Sequence, residues 1–338
     1  MIIFASKDSH VTSIVDDYGQ VRFINQILTM HYVQEHSQTE IAGLLGLSVT
    51  KVNRLLKQAR EQGMVEISIR TPFQSLFTLE NQMQKVCGVP EAVVVPSLPN
   101  YPEAASQAIG RAAADYLLQH LRDGDVICIS GGKALTALVQ AIQAVEVQRQ
   151  YNVHVVPATG GVQGSHFTDV NYLAAQLADH LGGKAYQLHA PVLVDTPEEQ
   201  EIVLSLRQVR EILDMARQAQ IALVGIGSVL PEISSYFEMP YLNEIDRKKI
   251  VEENCGSGEI LAHVINDSGQ MCASQYSERV VGISPAELRA IPLSIGVAGG
   301  RPKGLPIYCA LRGQYLNTLI TDEPAAQRVL ELYTQNFV

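Results

Sequence analysis

From Pro90 onward this chain repeats one unit: a short apolar run, a glycine-bearing turn, then a helical pattern. The apolar runs fall at Ala92–Val95, Val126–Ser130, His154–Pro157, Ala185–Leu188, Ile221–Val224, Ser294–Ala298 and Thr318–Thr321. Helical spacing fills segments between them, such as Glu103–Leu121 and Glu211–Gln218. Short, mainly apolar strands alternating with helices imply a mostly parallel sheet covered on both faces. The expected architecture is therefore a doubly wound, mostly parallel α/β domain. Glu259–Ile265, the turn Asn266-Asp267-Ser268-Gly269 and Gln270–Ala273 read as a hairpin inserted into it.

The chain has 338 residues, too many for one ordinary domain and suited to two. Hydrophobic residues make up 46% and charged residues 18%, a balance that fits a large core rather than disorder. There is no run long enough for a membrane helix and no basic, apolar leader. A cytoplasmic location is expected, with no membrane partner. The five cysteines are scattered and form no C-x-x-C pair, so neither a disulfide framework nor a zinc site is expected, and no cofactor is implied. A net charge of −10 excludes a protein that coats nucleic acid with its whole surface, but not a local basic patch.

Such a patch lies near the N-terminus. The sequence divides into an arm at 1–20, a helix-turn-helix (winged) domain at 21–70, a linker helix at 71–89 and the α/β domain at 90–338. Val21, Ile24, Ile27, Leu28 and Val33 give a first amphipathic helix running to His36. Ser37-Gln38-Thr39-Glu40 has the form of a capping box and opens a short helix to about Leu45. Gly46 breaks it, Ser48 is a second N-cap, and a third helix runs from Val49 to about Gln62. On this helix Val52, Leu55, Leu56 and Ala59 cluster within about 100°. Thr50, Lys51, Asn53, Arg54, Lys57 and Gln58 share the other side. Lys and Arg suit phosphates and guanine edges, and Asn and Gln suit adenine edges. Ser48, Thr50, Lys51, Asn53, Arg54 and Lys57 are the candidate DNA contacts, with operator DNA as partner. Met64–Arg70 alternates as a strand would and could form a wing.

In an open parallel sheet, ligands bind outside the carboxyl ends of the strands. Five turns are expected there: Ser130-Gly131-Gly132, Thr159-Gly160-Gly161, His189-Ala190-Pro191, Gly225-Ile226-Gly227 and Gly299-Gly300. Glycine lets backbone N–H groups approach an anion, and a following helix N-terminus favours negative charge. Lys133 and Thr136 follow the first turn, and Lys303 follows the last. Glu259 could accept sugar hydroxyls or be an ordinary surface residue; Asn171 could bind a ligand or cap a helix. His154, His166 and His189 lack metal-ligand spacing and read as packing or surface residues.

Taken in order, Ser37–Ile69, Gly131-Gly132, Gly160-Gly161, Gly225-Ile226-Gly227, Gly256-Ser257-Gly258-Glu259 and Val297-Ala298-Gly299-Gly300-Arg301-Pro302-Lys303 resemble the SorC family of sugar-responsive regulators. The likeness spans nearly the whole chain from about Val21. It implies an effector domain resembling the glucosamine-6-phosphate deaminase and ribose-5-phosphate isomerase folds, a sugar or sugar-phosphate effector, and a homodimer or homotetramer. It implies effector contacts at Gly131, Gly132, Gly160, Gly161, Asn171, Glu259 and Lys303. Two residues depart from the pattern: Ala134 stands where a hydroxyl is frequent, and Asn53 where Ser is. The expected function is control of a carbohydrate-utilisation operon, without enzymatic activity. The alternative is a sugar-phosphate isomerase or deaminase carrying a DNA-binding domain, which would need a positioned acid/base pair.

Overall fold

The computed structural model describes residues 11–65, 71–98, 100–145, 149–162, 169–229, 257–272 and 274–335. It divides into two units, Met1–Pro72 and Phe73–Val338.

In the first unit, three helices enclose a small core. They are α1 (Val11–Leu28), α2 (Gln38–Leu45) and α3 (Val49–Glu61). Ile24, Ile27 and Leu28 of α1 pack with Ile41 and Ala42 of α2 and with Val52, Leu55, Leu56 and Ala59 of α3. Both caps form as expected. The Ser37 hydroxyl accepts the Glu40 N–H while the Glu40 carboxylate accepts the Ser37 N–H. Gly46, at φ 62°, ends α2 in the left-handed region that glycine enters at little cost. The Ser48 hydroxyl accepts the Lys51 N–H and opens α3.

The start of this unit differs from the expected arm. Helix α1 already runs from Val11, and the spacing of Val11, Ile14, Val15 and Tyr18 carries the apolar pattern of its later turns backward. Beyond Leu28 the helix widens over Thr29–Val33, with Gln34 N–H bonding Thr29 C=O, five residues back. Of the expected wing strand, Met64 and Val65 pack on the three helices and are not in a strand; 66–70 lie outside the described residues.

The second unit opens with α4 (Gln74–Cys87). The sequence reads this helix as a linker, yet Leu76 and Met83 are buried in the main core of the second unit. There follow β1 (Glu91–Val95), α5 (Pro102–His120), β2 (Val126–Ile129), α6 (Lys133–Gln143), β3 (His154–Pro157), α7 (Val170–Leu181) and β4 (Lys184–Ala185). Then come α8 (Pro197–Ser205), α9 (Arg207–Arg217), β5 (Ile221–Gly227), β6 (Gly258–Ile260) and β7 (His263–Ile265). The chain closes with α10 (Pro285–Arg289), β8 (Leu293–Val297), α11 (Gly304–Arg312), β9 (Thr318–Asp322) and α12 (Glu323–Gln335).

The sheet order is β1-β9-β8-β5-β2-β3-β4, and every neighbouring pair along it is parallel. Strand residues alternate between two cores. Ile127, Ile129, Leu223, Ile295 and Ile320 face α5, α6 and α7. Cys128, Ala222, Val224 and Leu319 face α4, α9, α11 and α12. The sheet is therefore covered on both sides.

Two expected elements change. The fourth strand stops at Ala185, because the Leu188 N–H bonds the Asn171 Oδ1 instead of a neighbouring strand. Gly225-Ile226-Gly227, expected as a turn, continues β5: Gly225 pairs with Val297, while Ile226 and Gly227 pair with Ile260 and Glu259 of β6.

The inserted hairpin also turns earlier than expected. β6 and β7 meet through Leu261-Ala262, with φ at 53° and 65°. A two-residue turn demands positive φ at both positions, and L-residues with side chains pay about 1–2 kcal/mol each for it. The expected turn at Asn266–Gly269 follows as a second one, where Asn266 Oδ1 accepts the Ser268 and Gln270 N–H groups. An isolated bridge from Ile265 to Met271 is all that forms of the outer strand among the described residues.

Candidate DNA-binding face and effector site

Helix α3 buries Val52, Leu55, Leu56 and Ala59 and leaves Thr50, Lys51, Asn53, Arg54 and Lys57 exposed. Ser48 is exposed as well, but its hydroxyl is engaged in capping. Lys57 lies 3.8 Å from Glu61, with both side chains mostly in solvent, a pairing that water and salt readily release. The face therefore offers three cations, an amide and a hydroxyl on a rigid, capped helix.

In the second unit the connections set the site. From β2 the chain steps outward to β3 and β4; from β5 it steps the other way to β8 and β9. Adjacent strands whose chains depart in opposite directions leave a crevice at their carboxyl ends. That crevice lies between β2 and β5. Gly131, Gly132 and Lys133 flank it at the end of β2 and the start of α6, with Gly132 at φ 113°. Gly299, Gly300 and Lys303 stand at the end of β8, the strand beside β5, and lead into α11. Gly300, at φ 89°, donates its N–H to both oxygens of Asp322 at 2.9 Å. Asp322 is buried and also accepts the Ala325 N–H, so it ties this turn to the first turn of α12.

Glu259 reaches the same crevice through the pairing of β6 with β5. A Cβ on Gly227 would overlap its Oε2, so the carboxylate would have to shift to admit one. Its Oε1 accepts the Ala262 N–H at 2.5 Å. The Glu259 residue keeps some solvent access, but protein crowds the carboxylate, and burial raises its pKa above the usual range. The Ala262 N–H and the Lys303 ammonium oppose that rise. Lys303 is lowered by burial, partly restored by Glu259 and lowered again by Lys133. Lys303 thus feels both Glu259 and Lys133, residues far from it in sequence.

Thr136 lies one turn inside α6, and its hydroxyl bonds the Gly132 C=O at 3.1 Å. Gly160, Gly161 and Asn171 belong to a neighbouring wall beyond β3. A side chain on Gly160 would overlap the Pro191 carbonyl, and Gly161 bridges to Pro191. Asn171 is not the N-cap of α7; Asp169 is, accepting the Asn171 and Tyr172 N–H groups. The Asn171 amide instead bonds the backbone of Leu188, donating to its C=O and accepting its N–H. Its amide oxygen and one amide hydrogen are therefore engaged in holding the wall. His154 meets Tyr186 and takes part in packing; His166 lies outside the described residues. Sequence reasoning missed Asp322, Asp169 and the pairing of Gly227. Only the position of Asp322, between a strand and a helix start, could have signalled one of them.

Among the described residues, no group of three or more His, Cys, Asp or Glu could hold a metal. None of the helices among these residues is long and apolar enough to cross a membrane.

Residues 71–331 match the family described as "Putative sugar-binding domain". The chain is 30% identical to the sorbitol operon regulator of Klebsiella pneumoniae, over 94% of this chain and 100% of that one. The crystal structure of the full-length regulator, SorC, superposes with a TM-score of 0.71, covering 92% of this chain and 98% of that one. The chain belongs to the SorC family. A second relative of this SorC-family chain is the deoxyribonucleoside regulator of Bacillus subtilis, 32% identical over 89% of this chain and 95% of that protein. Residues 25–62, which hold α2 and α3, match the family described as "Sigma-70, region 4". These relatives are named as regulators, and the chain is a regulator rather than an enzyme. The isomerase or deaminase alternative is set aside on that finding.

Proposed function

We propose that this SorC-family regulator binds operator DNA through α3 and is controlled by a phosphorylated sugar bound at the β2/β5 crevice. Ser48, Thr50, Lys51, Asn53, Arg54 and Lys57 form the DNA face. Gly131, Gly132, Lys133, Thr136, Glu259 and Lys303 form the effector site, with Gly160, Gly161 and Asn171 shaping its wall. The observation that carries the effector reading is the placement of Lys133 and Lys303 just after the positive-φ Gly132 and Gly300, beyond the two strands that flank β5, with Glu259 on the hairpin paired to β5. Two ammonium groups and the start of α6 suit a phosphate, and one carboxylate suits sugar hydroxyls. The chain works as a homodimer or homotetramer in the cytoplasm, since one helix-turn-helix reads too few base pairs alone.

Isothermal titration of wild type and Lys303→Met, with a panel of sugar phosphates and their dephosphorylated forms, tests this reading. The wild type should prefer one phosphorylated form. The variant should lose about 10–150-fold in affinity for it, the cost of a hydrogen bond to a charged group. Equal binding of both forms by both proteins would show that Lys303 holds no phosphate.

A further inference from the structure

Glu259 has two partners that together hold its carboxylate charged against burial. Its Oε1 holds the Ala262 N–H, and its charge faces Lys303. The bond closes a turn whose residues are ill suited to it. Leu261 and Ala262 both carry side chains and both sit at positive φ, where Asn and Gly are usual. Nor is this turn a free surface hairpin. Leu261 is 2% exposed within the main core, and Ala262 is buried with Val192, Val229, Val264, Tyr276 and Val280. A backbone conformation against local preference persists where its surroundings hold it, and such places gather at ligand and switch sites.

The geometry points to Glu259 as a latch, through which an anion bound at Lys133 and Lys303 releases the Leu261-Ala262 turn. This rests on the effector-site reading above. An anion that takes the Lys303 ammonium leaves a crowded carboxylate without its counter-charge. The carboxylate must then accept a proton from solvent or turn toward water. Either change weakens its bond to Ala262 and frees a turn held against its residues' preference. Because Leu261 and Ala262 are built into two different hydrophobic clusters, the release reaches both. The hairpin is thus the element that reports occupancy, and Glu259 positions it.

Amide hydrogen exchange of the full-length protein, with inorganic phosphate as the probe and titration calorimetry in parallel, tests the latch. In wild type, saturating phosphate should speed exchange at Ala262 about 10- to 100-fold, as expected for loss of a bond to a charged group. Glu259→Gln, which keeps the shape and removes the charge, should exchange at one rate with and without phosphate. Ala262→Gly, which suits the turn without a latch, should bind phosphate as wild type does but show a smaller acceleration. Phosphate that binds wild type while leaving Ala262 exchange unchanged or slower overturns the latch and leaves the anion site standing. A protein that takes up no phosphate overturns the anion reading and the latch with it.

Discussion

His263 is buried, and its Nδ1 has no hydrogen-bond partner among the described residues. Burial lowers its pKa from 6.5 to about 4, against a weak pull from Glu287. The folded chain therefore keeps this ring neutral at pH values where the unfolded chain protonates it. The stability it contributes is full above pH 6.5 and is lost as pH falls toward 4. The loss should approach about 3 kcal/mol. Urea midpoints of wild type and His263→Leu across this range check it: the difference between them should shift in favour of the variant as pH falls. At the DNA face, Arg54→Ala should weaken operator binding by about 1–3 kcal/mol and relax specificity at one base pair. Lys57→Ala should weaken binding evenly across sequences and lower the salt slope by about 1. Binding isotherms at several salt concentrations separate the two effects, and unchanged affinity in both folded variants would place another helix in the groove.

The Ser48 hydroxyl accepts the Lys51 N–H at the start of α3, an N–H that also reaches the Ser48 carbonyl. Ser48→Ala should cost roughly 1 kcal/mol, read as a lowered unfolding midpoint. Gly160→Ala should cost more, since its Cβ would overlap a backbone carbonyl of Pro191 that cannot simply rotate away. Elements such as α2 and α3 were legible because caps, a glycine stop and an apolar stripe all gave the same boundaries. The strands β2 and β5 near the centre of the sheet are legible because they are covered on both faces and their apolar runs, Val126–Ile129 and Ile221–Val224, are unbroken. The hairpin turn is not. Its Leu261-Ala262 pair carries no turn signal, since the conformation is imposed by Glu259 and by burial, whereas Asn266–Gly269 carries the signal and forms only the next turn. The glycines of β5 carry a turn signal as well, yet Gly225 pairs with Val297 and Gly227 with Glu259, so the segment stays extended. Asn171 reads from the sequence as a ligand contact or a helix cap; its bonds to Leu188 depend on a contact across 17 residues that spacing does not encode.

The whole chain joins a DNA-reading unit to a doubly wound unit, and the family it belongs to is one of regulators. Sedimentation of the full chain at micromolar concentration should give a dimer or tetramer, and a monomer that stays monomeric on operator DNA would exclude paired half-sites. Control by an effector is a free-energy coupling between two sites, so DNA and effector must alter each other's affinity by the same factor. The most direct test measures the affinity of the full-length protein for operator DNA that it selects from a random-sequence pool, with and without each phosphorylated sugar that it binds. Wild type should change its DNA affinity by about 5–150-fold with one of them. Lys303→Met should bind the same DNA with unchanged affinity and fail to respond. DNA binding that no such sugar alters in the wild type, or an equal response in both proteins, would contradict the account.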